Sequence, residues 1–270
     1  PAGGGAGGGL AGQTEKVMRL VSLTASNTEI LWALGALDGL VGVDDHSDFP
    51  EEVRRLPKVG PDLNVDLDRV EALRPDLVLA SLSVPGMERV VEGLKRRGIP
   101  HLVLDPESLE DVFQGILTVA EALGLPHRGH QVVGAMRYTM AQARRGLPRF
   151  PKPPRILVEW WPKPVIAAGQ KSWVTGMLAF LGAENALQDA VRSRPLSERE
   201  LEALAPEVWV LSWCGAKRLR PEVALRRPLR VPALEAGRVY PIPEAYLGRP
   251  GPRLAEGVRR LADALILSGL

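Results

Sequence analysis

Few residues in this 270-residue chain could do covalent or metal chemistry. The one cysteine, Cys214, ends the apolar run VLSWC and reads as a small buried residue. A reactive thiol would need a basic partner, and none is displayed beside it. The four histidines, His46, His101, His127 and His130, are scattered. His127 and His130 have a spacing that could hold zinc, but an enzyme built on metal cofactors wants several Cys or His ligands together. HExxH, GxSxG, CxxC and a phosphate-binding loop are all missing from the sequence. The distinctive residue is tryptophan, six copies against three tyrosines and four phenylalanines. Trp160 and Trp161 close one apolar run, and Trp173 opens the next helical stretch. Adjacent Trp160 and Trp161 point to opposite sides of a regular strand, so one of the two would face any ligand. Trp32, Trp209 and Trp213 sit among apolar neighbours and read as core.

The elements that position these residues alternate. Strand patterns at 17–24, 40–45, in DLVLAS and at 99–105 are separated by helical patterns in TEILWALGA, VDLDRVEALR and MERVVEGLKRRG. Asn27 offers an N-cap for the first helix. The second half repeats the plan with RILVEWW at 155–161, a helix from about Ser172 to Leu181, SERELEALA, VWVLSW at 208–213, RVYPI and a closing helix. Two stretches nearly copy each other: EALRPDLVLA at 71–80 and EALAPEVWVL at 202–211. Each is a helix stopped by proline (Pro75, Pro206) and followed by a buried strand. The expected fold is α/β: two similar lobes with mainly parallel sheets, bridged by one long helix, with a ligand cleft between them. The expected boundaries are a glycine-rich tether at 1–16, an N-terminal lobe at 17–126, a bridging helix at 127–147 and a C-terminal lobe at 148–270.

Composition narrows the function classes. A net charge of +2 and a charged fraction of 24% describe an ordinary protein surface. No dense basic block with interleaved aromatics argues for nucleic acid. No run approaches the ~18 apolar residues of a membrane span. The opening PAGGGAGGGLAGQ cannot pack and suits a tether ahead of an exported, lipid-anchored body.

Several stretches, in order over residues 17–268, resemble the substrate-binding proteins of ABC importers that serve vitamin B12, haem and ferric siderophores. RLVSLTASNTEILWALGALDGLVGV resembles the family's opening, HSDFPEEVRRLPKVG its next loop, and VDLDRVEALRPDLVLA with LSERELEALAPEVWVL its paired repeat units. PVIAAGQKSWVTGMLAFLGAENAL and YLGRPGPRLAEGVRRLADAL resemble its later segments. VEWWPKPVIAAGQKSW looks closest to the cobalamin-binding branch.

The resemblance implies a non-enzymatic, monomeric, periplasmic or extracytoplasmic protein. It would capture cobalamin or a related corrinoid, with haem or a ferric siderophore as the alternative. It would be membrane-associated through the tether or the permease, and would hand its ligand to a permease dimer with ATPase subunits. No catalytic cofactor and no resident metal are expected. In that architecture the ligand-binding candidates are Ser26 and Asn27 at a strand-to-helix turn and His46, Ser47, Asp48 and Phe49 on the next loop. Trp160, Trp161 and Trp173 are candidates in the second lobe, with Glu244, Tyr246 and Arg249 on the last loop. Pro61 and Ser81 stand where the family's vitamin B12 binder carries tryptophans. Asp68 in the first lobe, and Glu198 and Glu200 in the second, are the candidates for docking on permease arginines. A rigid bridging helix implies little lobe closure.

Overall fold

The computed structural model describes residues 17–270; the tether expected at 1–16 lies outside the described residues. In the first half, strands and helices alternate as β1 (Leu20–Ser22), α1 (Ala25–Ala33), β2 (Leu40–Val43), α2 (Leu67–Ala72), β3 (Leu77–Ser81), α3 (Glu88–Arg96), β4 (His101–Leu104) and α4 (Leu109–Ala122). The four strands form one all-parallel sheet in the order β2-β1-β3-β4. Their apolar runs fit burial on both faces. The cap of α1 is Thr24 rather than Asn27: its hydroxyl accepts from the Asn27 N–H at 3.2 Å. The chain enters the helix three residues earlier than expected, because Thr24 already holds the extended backbone that a cap requires.

A 20-residue helix, α5 (Pro126–Arg145), then leads to the second half. Proline at its first position suits a helix start, where the missing N–H is not needed. The second half holds β5 (Arg155–Pro162), β6 (Val165–Ala168), α6 (Trp173–Phe180), β7 (Glu184–Asn185), β8 (Ser193–Leu196), α7 (Glu198–Leu204) and β9 (Val208–Leu211). It continues with α8 (Pro221–Leu225), α9 (Pro232–Glu235), β10 (Val239–Pro241), α10 (Glu244–Leu247) and α11 (Leu254–Ser268). The second sheet runs β10-β9-β5-β6-β8, with β7 beside β5. β7, β9, β5 and β10 pair in parallel, whereas β6 and β8 are antiparallel additions. β8 carries Pro195 and sits at the sheet edge, where a missing donor is tolerated.

The copied stretches are also copied in three dimensions. α2 ends on Arg74 at φ 49° and α7 ends on Ala205 at φ 44°, each immediately before the proline. A residue ahead of proline is pushed out of the right-handed helical region, so the helix must stop there. In the first copy the Arg19 guanidinium donates to the Leu73 carbonyl at 2.7 Å, and the Arg19 N–H donates to Asp76 at 2.7 Å. In the second, Arg155 donates to the carbonyls of Leu204 (2.5 Å) and Ala205, and its N–H donates to Glu207 at 3.2 Å. An arginine at the head of the first strand of each half thus closes the carbonyl end of each repeat helix. Chance similarity between two short helices would not bring this second pair of residues along.

The halves do not meet across an empty hinge. One apolar core runs through both, joining Ile30, Leu31 and Phe113 of the first half to Val158, Trp173 and Leu261 of the second. α4, α5, α6 and α11 form the shared wall. At Gly176 of α6, a side chain would strike Leu109 of α4 at 2.8 Å, so glycine is what lets these helices approach so closely. Two further clusters belong to one half each. Trp209 and Trp213 are buried, as expected. Trp32 is not: it is 39% exposed. Its neighbours Leu31 and Leu34 face the core, and Trp32 lies one residue round the helix from Leu31. Its ring instead meets Phe49 edge-on at 4.9 Å.

Candidate ligand-binding cleft

Between the lobes lies a largely apolar cavity of about 290 Å³. The first lobe contributes Ser83, Val84 and Pro85; the second contributes Trp160, Trp161 and Trp173, with Ile166 beside them. Both adjacent tryptophans line it, against the simple alternation of a strand. The cause is a bulge. Glu159 pairs with Ala167, but Trp161 pairs with Ile166, so β5 holds one more residue than β6 over this span. Trp160 is the extra residue, and the kink brings both rings to one cavity. Trp160 is further held through its carbonyl, which accepts from the Cys214 N–H at 3.0 Å. Trp161 is 47% exposed and forms the open lip.

Trp173 is the first residue of α6, whose cap is the Ser172 hydroxyl. Its indole N–H donates to the Leu247 carbonyl at 2.6 Å, so the ring is only 8% exposed and fixed in orientation. Cys214 also lines this cavity and is exposed, not the small buried residue its apolar run suggested. The run ends at the strand end, so the side chain emerges into the cleft. Although the residue reaches the surface, the protein packed around its sulfur and the nearby Glu244 carboxylate both raise the thiol above its usual range.

A second cavity of about 220 Å³, with a mixed polar and apolar lining, lies against the ends of β3 and β4. Ser26, Asn27 and Ser81 line it, with Asp105, Gln114 and Thr118 opposite. The Asn27 amide donates to the Ala80 carbonyl at 3.1 Å, which ties the start of α1 to β3. Arg192 stands between the two cavities. It comes from the second lobe, donates to the Leu82 carbonyl at 2.9 Å, and pairs with Asp105 and, at 3.2 Å, with Glu107 of the first.

The remaining candidates line neither cavity. Glu29, 1% exposed in α1, receives Arg249 at 2.9 Å and Arg253 at 3.2 Å. Arg249 also reaches Asp48 at 2.7 Å. Burial works against the Asp48 charge, but the Arg249 guanidinium outweighs it and holds the carboxyl below its usual range. Burial lifts the Glu29 carboxyl despite its two guanidinium partners. Phe49 lies under Arg253 at 4.0 Å, and Tyr246 under Arg260 at 4.0 Å. Ser47 is buried in a polar chain, between the Thr28 hydroxyl at 2.7 Å and the Asp44 carboxylate at 2.5 Å. Glu244 accepts from the Gly215 N–H at 2.9 Å. His46 is exposed, 3.8 Å from Asp62, and Pro61 is exposed on the same loop. Arg192 and Glu29 were not singled out in the sequence. Nothing local marks them, since their partners lie far along the chain.

The repeat helices carry the acidic residues. Asp68, 87% exposed at the start of α2, pairs with Arg97 at 2.7 Å. Glu200 is committed twice, to the capping box of α7 and to Arg194 at 2.6 Å. Glu198 is exposed on the same first turn. Among the described residues no group of three or more His, Cys, Asp or Glu is placed to hold a metal, and no helix is long and apolar enough to cross a membrane.

Comparisons with known proteins agree with this architecture. The profile of the family called Periplasmic binding protein matches residues 20–246. The chain is 31% identical over 254 residues to the uncharacterized ABC transporter substrate-binding lipoprotein YvrC of Bacillus subtilis, covering 92% of this chain and 79% of the relative. It is 28% identical over 260 residues to the vitamin B12-binding protein of Vibrio parahaemolyticus, covering 92% and 90%. It superposes on the periplasmic heme-binding protein RhuT from Roseiflexus sp. RS-1 with a TM-score of 0.80 at 29% identity, covering 94% of this chain and all of that one.

Proposed function

The chain belongs to the periplasmic binding protein family, and from that premise we propose that it captures cobalamin or a related corrinoid in the cleft between its lobes. It is a non-enzymatic, extracytoplasmic solute-binding protein of the ABC-importer class. The observation that carries the ligand is the bulge in β5, which gathers Trp160 and Trp161 with Trp173 around one apolar cavity. A corrin is broad and apolar, with amide arms, and flat aromatic walls with polar groups at the edge suit it.

Haem is the second reading, supported by the similarity to heme-binding RhuT. Haem iron is commonly held by a His, Tyr or thiolate donor. Of those residue types only Cys214 lines the tryptophan cavity, and no His or Tyr stands beside it there. A corrinoid brings axial ligands of its own, so that wall favours it. Beside the cleft, the Asp48–Arg249 ion pair and the Arg253 guanidinium over Phe49 join the two lobes that form it.

Delivery would use the repeat helices. Asp68 stands seven residues before Pro75, the equivalent place on α7 is Arg199, and the flanking acids Glu198 and Glu200 would supply the second docking charge, with Glu198 the more exposed of the two. Such contacts act as complementary patches, since one exposed ion pair contributes little. The ligand is tested by titrating the purified protein with cyanocobalamin, hemin and a ferric siderophore, following tryptophan fluorescence and the visible spectrum. Quenching by cyanocobalamin alone is expected; saturation by hemin alone would move the assignment to haem.

A further inference from the structure

One side chain bridges the bulge that gathers the tryptophans. Arg227, in the turn after α8, reaches β5 from 65 residues away along the chain. Its Nη1 donates to the carboxylate of Glu159, the residue before Trp160. Its Nη2 donates at 3.1 Å to the carbonyl of Pro162, the residue after Trp161. The two bonds enclose the tryptophan pair. Glu159 is wholly buried, and its other carboxylate oxygen accepts from the Trp213 indole N–H at 2.5 Å. Its backbone carbonyl accepts from the Ser212 N–H at 2.9 Å, so Glu159 is tied twice to the stretch that follows β9. The Arg227 guanidinium rests 5.5 Å from the centre of the Trp209 ring. Neither Glu159 nor Arg227 lines the tryptophan cavity.

We propose that Glu159 and Arg227 are positioning residues for the ligand wall: together they set the bend of the bulge, and so hold the Trp161 ring at the angle that receives the flat body of the ligand. The inference rests on the reading above, in which a flat-bodied ligand lies on the tryptophans. A buried ion pair adds little stability over an apolar pair of the same size, because desolvation offsets the attraction. What this pair supplies is geometry. A bulge interrupts the ladder and lets the strand bend, and fixed points on either side decide how far. A guanidinium suits that task, since its planar fork holds two acceptors at a set separation. The effect falls on Trp161. Trp160 is held through its carbonyl by Cys214, and Trp173 through its indole by Leu247. Trp161 directly precedes the clamped Pro162 carbonyl, and its ring is half exposed, with less packing to fix it.

The test measures cyanocobalamin affinity, with hemin as the probe if hemin alone saturates native protein. Two variants break the bridge while treating the buried charge in opposite ways. Arg227→Lys keeps a cation beside Glu159, but an ammonium lacks the fork that reaches both acceptors. Glu159→Gln combined with Arg227→Met removes both charges and leaves an amide oxygen for the Trp213 N–H. Each should weaken binding about five- to tenfold, the scale of a misplaced aromatic contact. In a Trp161→Ala background the same changes should weaken binding less than about twofold, because the ring they aim is gone. A merely structural role would lower affinity equally in both backgrounds. Far-UV circular dichroism and urea unfolding identify the variants that fold. Native affinity in a folded variant, an equal loss in both backgrounds, or failure of both variants to fold overturns the positioning role and leaves the ligand reading standing. Saturation of native protein by neither probe overturns that reading, and the positioning role falls with it.

Discussion

Trp161 is the residue on which the ligand assignment depends most cleanly. It is half exposed at the lip of the cavity, so its ring contributes to binding more than to folding. Trp161→Ala should weaken corrinoid binding about tenfold or more, the scale of an aromatic anchor, while the unfolding free energy stays within about 0.5 kcal/mol of native. Calorimetric titration and urea unfolding read the two quantities; unchanged affinity would remove Trp161 from the site. Trp173 makes a less decisive variant, because its indole N–H holds Leu247 and its loss would disturb the fold as well. The sequence pointed to all three tryptophans by residue type and position. It could not show that Trp160 and Trp161 share a cavity, because a bulge is a property of strand pairing, and β6 was not legible as a partner in PVIAAG. Cys214 was misread for a related reason. An apolar run marks a buried strand but not the residue at which the chain leaves the sheet.

At the scale of elements, the alternation of strands and helices and the helix–proline–strand copies were legible, because period and proline placement are local signals. The matching arginines were not. Arg19 and Arg155 stand far from the helices they close, and only the folded sheet brings them together. The antiparallel strands β6 and β8 are short and polar-flanked, with Pro195 in the second, so no periodic pattern announced them. The repeat helices also carry the proposed docking charges. Asp68→Lys combined with Glu198→Lys should abolish most stimulation of the reconstituted importer's ATPase activity, with ligand affinity within twofold of native. Full stimulation by that double variant would place docking elsewhere.

The whole molecule is built to hold its cleft open at a set width. A shared apolar core crosses the lobe boundary, and the buried Glu29 with Arg249 and Arg253 locks the seam on one side. Removing one partner from such a buried group typically costs about 3–5 kcal/mol, so the seam resists opening. That cluster was illegible in the sequence, since Glu29 and Arg249 are 220 residues apart and each looks like an ordinary charged position. The physical consequence is limited closure on ligand binding, unlike proteins that bend about a loop hinge. Small-angle scattering should find the radius of gyration changing by less than about 1 Å on saturation; a larger fall would mean that the seam yields.

The measurement that tests the central claim most directly is a calorimetric titration of the native protein with cyanocobalamin, with hemin and a ferric siderophore run beside it. One-to-one saturation by cyanocobalamin, with the other two failing to saturate, is the predicted result. No heat with cyanocobalamin and saturation by either of the others would contradict it.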